Sequence, residues 1–352
     1  MTTPKLSIII PVLNEAASLP TLIQQLQQQT DCQLEIIVVD GGSQDQTQSV
    51  VKNLGVVFVT SKPGRGVQMN TGARVAKAPM LLFLHADSTL TNSELLKNAI
   101  TTWNKNRQTL GHDRIGGHFS LKFTQQPANR KWVFKFYEAK TSLNRSMCTN
   151  GDQGFLLKRE FFWQLGGFSQ ELPFLEDQIL ASQIYDKGVW ITLPGSLTTS
   201  ARRFKQEGLG RRMILNAIIM AFHYTGFKQF FARAPEVYRQ QDTAKPLQIT
   251  PFFNLIKTLN SEAGWQVSFK RWRYIGGFVR EAAWQIFFVL DVIAAQLFNW
   301  QKKPFVALHD KVFKPLTNFL LFDVLTAILT WIWFTLTGYY FAISEANFKR
   351  TS

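Results

Sequence analysis

From the N-terminus to about residue 90, short apolar runs alternate with stretches whose apolar positions recur at helical spacing. Lys5 to Val12 is β-branched and apolar; after Asn14 and Glu15 comes a segment with Leu19, Leu22, Ile23 and Leu26 on one face. A strand followed by a helix is therefore predicted. The pattern returns with a strand from Leu34 to Val39 ending at Asp40, then a helix from about Gln44 to Leu54. It returns again with a strand Val56 to Thr60, a helix from about Arg65 to Ala76 and a strand Met80 to Leu84. Such successive strand–helix units predict a parallel sheet with helices on both faces. Ligands of these sheets bind beyond the carboxyl ends of the strands. Polar residues cluster there in this chain: Asn14 and Glu15, Asp40 to Ser43, Gly64 to Gly66, and His85 to Asp87. A strand can be ended by Gly, Asn or Ser at lower desolvation cost than by a carboxylate, so Asp87 points to a use for negative charge.

Beyond about residue 110 the alternation weakens. GGHFSLKF (116–123) reads as a strand, 128–145 as a basic, aromatic helix, and GDQGFLLK (151–158) as a turn leading into a strand. Residues 176–187 read as a helix, followed by a short strand at Val189 to Leu193. Together these predict a mixed extension of the first sheet. The later chain combines aromatics with basic clusters, an apolar stretch 282–298 broken by Asp291, and the uncharged run Val324 to Ile343. As a helix that run spans about 30 Å, the thickness of a bilayer's hydrocarbon core.

The formal charge of +15 points to anionic partners: nucleic acid, phosphorylated small molecules or an acidic membrane surface. No nucleic-acid module is recognisable. Cys32 and Cys148 have no metal-like or disulfide-framework spacing, which fits a reducing, cytoplasmic setting. The apolar stretch at the N-terminus is too short for a secretory signal and reads as a first buried strand.

SIIIPVLNEAASLPTLI, VVDGGSQDQT, KPGRGVQMNTGA and LLFLHADS, followed by GDQGFLLKREFFWQLGGF, LPFLEDQILASQI and TSARRFKQEG, resemble glycosyltransferase family 2 over roughly residues 5–235. Within that family the chain looks most like a bacterial subset associated with arsenosugar biosynthesis. The resemblance implies an α/β, GT-A fold: a Rossmann-like, mostly parallel sheet with helices on both faces that binds a nucleoside diphosphate sugar.

It also implies roles, each with a plainer alternative. Asp87 matches the second aspartate of an Asp-x-Asp element that holds a divalent cation, Mg²⁺ or Mn²⁺, on the diphosphate; otherwise it caps the following helix. His85 stands where the first aspartate is expected, as a ligand or as a satisfied strand-end histidine. Pro11, Asn14, Glu15 and Asp40 match nucleoside-contacting positions, with an Asx turn the alternative for Asp40 and a first-turn acid for Glu15. Arg65 and Asn70 lie in a loop resembling a phosphate cradle, or in a surface turn. Glu176 and Asp177 match an acidic pair whose aspartate is the general base of an inverting transfer, or they are helix-capping acids. Arg202 and Arg203 match an arginine motif that meets the diphosphate, or they are solvated or membrane-surface charge.

The expected domains are a glycosyltransferase domain at 1–235 and a helical, membrane-associated region at 236–352, with the weakest point around Gln240 to Pro251. In the second region an interfacial helix is expected at about 282–298 and a membrane-spanning helix at 324–343. The flanking lysines and Lys349 and Arg350 favour a cytoplasmic catalytic domain on a bacterial-type inner membrane. The expected partners are a nucleotide-sugar donor and an unknown hydroxyl acceptor, lipid-linked or free, with no nucleic acid. The alternative is a membrane-tethered nucleotide-sugar-binding or scaffold protein without catalysis, motivated by His85. A nucleotidyltransferase is a weaker rival, because the glycine-rich, arginine-containing loop of those enzymes does not follow the first strand.

Overall fold

The computed structural model describes residues 4–172, 174–239, 246–300 and 302–351, in two compact units, Met1–Ala201 and Arg202–Ser352. The first unit holds an eight-stranded mixed sheet in the order β3-β2-β1-β4-β7-β6-β8-β5. Its strands are β1 Leu6–Val12, β2 Leu34–Asp40, β3 Val57–Thr60, β4 Met80–Phe83, β5 Thr89–Leu90, β6 Ile115–Thr124, β7 Phe155–Lys158 and β8 Val189–Ser200. Strands β3, β2, β1 and β4 are parallel, as the alternation predicts. The antiparallel pairings of β7 with β4 and β6 supply the mixed extension.

Because side chains alternate across a strand, Ile8, Ile10 and Val12 pack on one face while Ile9 packs on the other. The first face is covered by α1 (Leu19–Gln27), which buries Leu19, Leu22, Ile23 and Leu26, and later by α4 (Leu95–Leu110) with its buried Trp103. Between them in sequence come α2 (Thr47–Lys52) and α3 (Arg65–Val75), and after them α5 (Lys131–Thr141), α6 (Arg159–Gln164) and α7 (Glu176–Lys187). Helices α3, α6 and α7 cover the second face, with Met69, Phe162 and Leu180 in its core.

The helix expected at 128–145 is confined to Lys131–Thr141, and two other elements differ from the sequence reading for visible reasons. Helix α2 begins later than residue 44, where the Asp45 and Thr47 side chains accept the backbone N–H groups of Ala16 and Glu15 in the loop after β1. Strand β8 runs on past Leu193 to Ser200: after an irregularity between His118 and Ser120, β6 pairs with it again from Ser196 to Ser200.

The second unit is helical. Its segments are Arg202–Glu207, Leu209–Tyr224, Lys228–Arg239, Thr250–Glu281, Trp284–Phe298, Pro304–Leu308, a π-turn at His309–Phe313, Lys314–Thr317 and Leu320–Thr351. The expected domain limit at 235 falls within its helix Lys228–Arg239, and the part of the expected weak point at 240–245 lies outside the described residues. Leu320–Thr351 packs along Thr250–Glu281, where Phe253 stacks on Phe334 with ring centroids 4.6 Å apart. Any side chain at Gly276 would overlap the Asp323 carbonyl oxygen.

Charges inside this unit are answered internally. Arg280 pairs with Asp323 at 2.7 Å and Arg211 with Glu345 at 2.6 Å. Asp291, the charge that interrupts the apolar stretch 282–298, accepts the backbone N–H groups of Phe305 and Val306 at 3.0 and 2.9 Å and so caps the next helix. Two stretches, Thr250–Phe298 and Leu320–Asn347, are long and apolar enough to cross a membrane. On the second, Leu329, Leu336, Tyr340 and Ile343 are exposed.

Candidate functional site

The polar rim at the carboxyl ends of β1, β2 and β4 is built by three loops. After β1, Asn14 adopts a left-handed conformation (φ 58°), and its Oδ1 accepts the N–H groups of Gln44 and Asp45 at 2.8 and 3.3 Å. Glu15 accepts the Ser18 hydroxyl, and Pro11 is buried within β1. At the end of β2, Asp40 is fully buried and accepts from Ser43 N, the Ser43 hydroxyl and Gln48 Nε2. This is the Asx-type turn anticipated for it, and of its partners Gln48 is exposed. Gln68, reaching over from α3, donates to the carbonyls of Val12 and Val39 at 2.8 Å each and ties the two strand ends together.

After β4 the chain turns through His85 to Ser88, closed by the Ser88 N–H on the His85 carbonyl. Burial, followed by the nearby Arg65 guanidinium, lowers the His85 pKa to about 4 against the pull of Asp87 and Asp177. The imidazole is therefore neutral near pH 7. Asp87 is exposed, and its carboxylate has no hydrogen-bond or ion-pair partner among the described residues. It caps no helix, since the next one begins at Leu95 with Glu94 before it.

Helix α3 begins at the rim with Arg65, whose Nε lies 2.9 Å from Glu176 Oε1 at the start of α7. Burial pushes the Glu176 carboxyl up, opposed by Arg65 and reinforced by Asp177. Gly66 permits this approach: a Cβ there would lie 2.7 Å from the Ser169 carbonyl oxygen. Asn70 is 3% exposed and grips the backbone of Phe168, donating to its carbonyl at 2.8 Å and accepting its N–H at 2.9 Å. Its amide braces the loop before α7 and leaves no arm extended toward a ligand.

Asp177, in the first turn of α7, accepts the N–H of Gly151 at 2.8 Å on one oxygen and that of Gln178 at 2.8 Å on the other. The 151–153 turn thus joins the rim. It is stiffened by a reciprocal bond pair between Asn150 and Gln153, and Gln153 reaches His118 Nδ1 at 2.9 Å and the Thr141 carbonyl at 2.8 Å. Its middle residue, Asp152, was not singled out from the sequence, where Gly-Asp-Gln reads as an ordinary turn. The signal was an acidic residue shortly before a strand, β7, that starts at the rim. Asp152 Oδ1 is shut off from solvent and has no hydrogen-bond partner among the described residues. Burial first, then the charges of Asp177 and Asp87, raise its pKa to about 7 against Arg65.

The structure thus brings Arg65, His85, Asp87, Asp177 and Glu176 together with Asp152, and sets Asn14, Glu15 and Asp40 in the adjoining β1–β2 loops. Arg202 and Arg203 open a helix of the second unit, where Arg203 pairs with Glu207 at 2.7 Å. No three His, Cys, Asp or Glu side chains among the described residues are grouped to hold a metal. A hard cation at this rim would take one or two carboxylates and complete its shell with phosphate oxygens and water, which the open carboxylate of Asp87 fits. Cavities of about 550 and 720 Å³ lie elsewhere, around His112, Arg114 and Phe161, and share no residue with the rim.

Residues 7–166 match the family model described as Glycosyl transferase family 2. A PGL/p-HBAD biosynthesis glycosyltransferase of Mycobacterium bovis is 29% identical over 184 residues, covering 50% of this chain and 68% of the relative. The O-antigen chain rhamnosyltransferase RfbN of Salmonella typhimurium is 24% identical over 204 residues, covering 52% and 62%. Among solved structures, the mannosyltransferase PcManGT from Pyrobaculum calidifontis, in complex with GDP-Man and Mn²⁺, aligns with TM-score 0.48 and 19% identity over 95% of this chain and 88% of that one.

Proposed function

We propose, from the premise that residues 7–166 form a glycosyltransferase family 2 domain, that the protein transfers a sugar from a nucleoside diphosphate sugar to a hydroxyl acceptor with inversion at the sugar carbon. One observation carries this reading: Asp177, oriented by two backbone N–H groups at 2.8 Å, shares the rim with the open carboxylate of Asp87. Inversion needs a base on the side of the sugar opposite the leaving diphosphate, and the two carboxylates come from separate segments of the chain. Asp177 takes the proton of the acceptor hydroxyl as the new C–O bond forms. The bond from the sugar carbon to the diphosphate oxygen breaks, and the nucleoside diphosphate leaves with the electron pair.

A divalent cation, Mg²⁺ or Mn²⁺, when bound would neutralise charge building on the diphosphate, and Asp87 is the residue that would hold it. His85 contributes no charge there. Arg65, Arg202 and Arg203 are guanidinium donors suited to phosphate oxygens. The nucleoside belongs on the β1–β2 side, where Pro11, Asn14, Glu15 and Asp40 shape the loops and a nucleoside donor can replace the exposed Gln48 at Asp40. Asn70 acts on this site through the loop it braces.

We infer further that the reaction takes place at a membrane, at the cytoplasmic face of a bacterial-type inner membrane. Its support is the exposed apolar surface of Leu320–Asn347 together with the internal pairing of Arg280, Asp323, Arg211 and Glu345, which leaves few charges facing lipid. Helix Trp284–Phe298, with Asp291 turned to the next helix, suits the interface. The motifs' likeness to the subset associated with arsenosugar biosynthesis leaves the acceptor open.

A thermal-shift screen of UDP- and GDP-sugars with and without Mn²⁺ tests the reading. Stabilisation by a nucleotide sugar that depends on Mn²⁺, followed by transfer or donor hydrolysis, is expected; a chain stabilised by none of them is not this enzyme. The neutral His85 favours one competing reading, a binding protein that keeps the pocket without turnover, and stabilisation with no hydrolysis or transfer would select it.

A further inference from the structure

We propose that the second unit is monotopic: helices Trp284–Phe298 and Leu320–Thr351 lie along one leaflet of an anionic bilayer, and neither crosses it. This rests on the membrane reading above and departs from the span expected at 324–343.

The cations packed beside each apolar helix decide against a span. Phe334 stands at the middle of the uncharged run 324–343, and the Trp272 ring meets it with centroids 5.2 Å apart. Lys270, Arg271 and Arg273 lie within two residues of that tryptophan, so each is within about 3 Å of its level along the helix. Lys270 and Arg273 sit over the Tyr274 ring at 5.9 and 5.2 Å, and Arg271 over Phe227 at 4.0 Å, contacts that leave their charge in place. A span would carry these three cations to the midplane, about 15 Å from either surface, where charge is most costly. Helix Trp284–Phe298 is about 22 Å long, short of the hydrocarbon core. The cap that Asp291 places on Phe305 and Val306 folds the following chain back along it, and sets Lys303 over the ring of Phe288, in its first half, at 6.0 Å.

The apolar surface has the form an interface requires. On the last helix Leu325, Leu329, Ile332, Leu336, Tyr340 and Ile343 are exposed at spacings of three and four residues, one continuous stripe, while Ala327, Phe334 and Phe341 are buried toward the bundle. Ile286, Leu290, Ile293 and Leu297 repeat the pattern on Trp284–Phe298. Such stripes exceed what a soluble surface ordinarily exposes. Between them the chain carries exposed Lys302, Lys311 and Lys314, and the acid of that segment, Asp310, lies 3.0 Å from His309. Apolar stripes joined by a basic segment fit a leaflet with anionic headgroups.

Depth along the last helix tests this. Nitroxide labels are placed at Leu325→Cys, Ile332→Cys, Leu336→Cys and Ile343→Cys in the full chain carrying Cys32→Ser and Cys148→Ser. The protein is bound to phosphatidylcholine vesicles with a one-third share of phosphatidylglycerol, and accessibility to oxygen against a water-soluble nickel complex reads depth. All four labels should sit at one level, about 5–10 Å into the leaflet. A depth that peaks at residues 332 and 336 and returns to the surface at 325 and 343 is a span and overturns the proposal. Labels that stay in water overturn the membrane reading itself. Should the cysteine replacements unfold the chain, the native cysteines are kept and brominated lipids quench Trp331 and Trp333, isolated by subtracting the variant with Trp331→Phe and Trp333→Phe. Bromine near the headgroup should quench them more than bromine near the chain end; the reverse order is a span. Vesicles of phosphatidylcholine alone should bind about ten-fold or more weakly, and equal binding overturns the choice of an anionic leaflet.

Discussion

Asp177 accepts the backbone N–H of Gly151 at 2.8 Å, and a Cβ added at residue 151 would sit 3.2 Å from the same carboxylate oxygen and 3.3 Å from His85 Nε2. A glycine here lets one turn pass between the acid of α7 and the histidine after β4. Gly151→Ala should shift Asp177 by a few tenths of an ångström. Turnover is expected to fall about ten- to a hundred-fold, since misplacing a catalytic group by an ångström costs on the order of 10². Melting temperature should change by only a few degrees; steady-state kinetics and calorimetry on the same preparation check both.

Asp152 should weaken the fold at the pH where the site works. Its carboxyl, at about 3.8 in the unfolded chain, rises to about 7 in the folded one, so the folded state prefers the proton. Stability from this group is fully present below about pH 4 and is lost as pH climbs through 7. Asp152→Asn should therefore stabilise the first unit by about 1–3 kcal/mol at pH 8 and by little at pH 4.5. Denaturant titrations at the two pH values measure the difference, and a variant less stable at pH 8 would contradict it.

The Arg65–Glu176 pair joins a half-exposed cation to a buried acid. Arg65→Ala leaves that acid unpaired and should cost about 1–2 kcal/mol after allowing for screening at the exposed arginine. Adding Glu176→Gln should recover most of this stability. Activity should not return with it, because the arginine is also needed at the phosphates. A double-mutant cycle in urea, with turnover measured on each variant, separates the two effects.

Asn70→Ala should cost about 2–4 kcal/mol, because it strips both hydrogen bonds from the buried Phe168 backbone. Nucleotide affinity of the folded fraction should stay within about three-fold of wild type. Calorimetric titration at low temperature checks this; a selective loss of nucleotide affinity would return Asn70 to direct ligand contact.

Asn70 also shows where sequence reasoning stops. It meets Phe168 across 98 positions, and nothing in its local pattern distinguishes an amide that braces a distant loop from one that meets a ligand. The apolar runs of β1, β2 and β4 carry their own signal, because side chains buried on both faces of a sheet must be apolar throughout, and the acids at their ends then fall on the rim. Asp40 and Asp87 are legible this way, whereas Asp177, in the first turn of a helix, is marked only by the resemblance of its acidic pair to the family motif. Asp152 is not legible, because an acid inside a glycine-flanked turn looks solvated until its surroundings are known. The continuation of β8 was hidden by Pro194 and Gly195, which locally read as a stop, while the pairing resumes with β6 a few residues later.

The most direct measurement of the central claim is sugar transfer by Asp177→Asn, which keeps the side chain's size and one of its two accepted hydrogen bonds but can take no proton. The variant should bind a Mn²⁺–nucleotide sugar within a few-fold of wild type while its turnover falls by about 10³ or more, within the range a positioned general base contributes together with its orientation. Transfer within ten-fold of the wild-type rate would contradict the account.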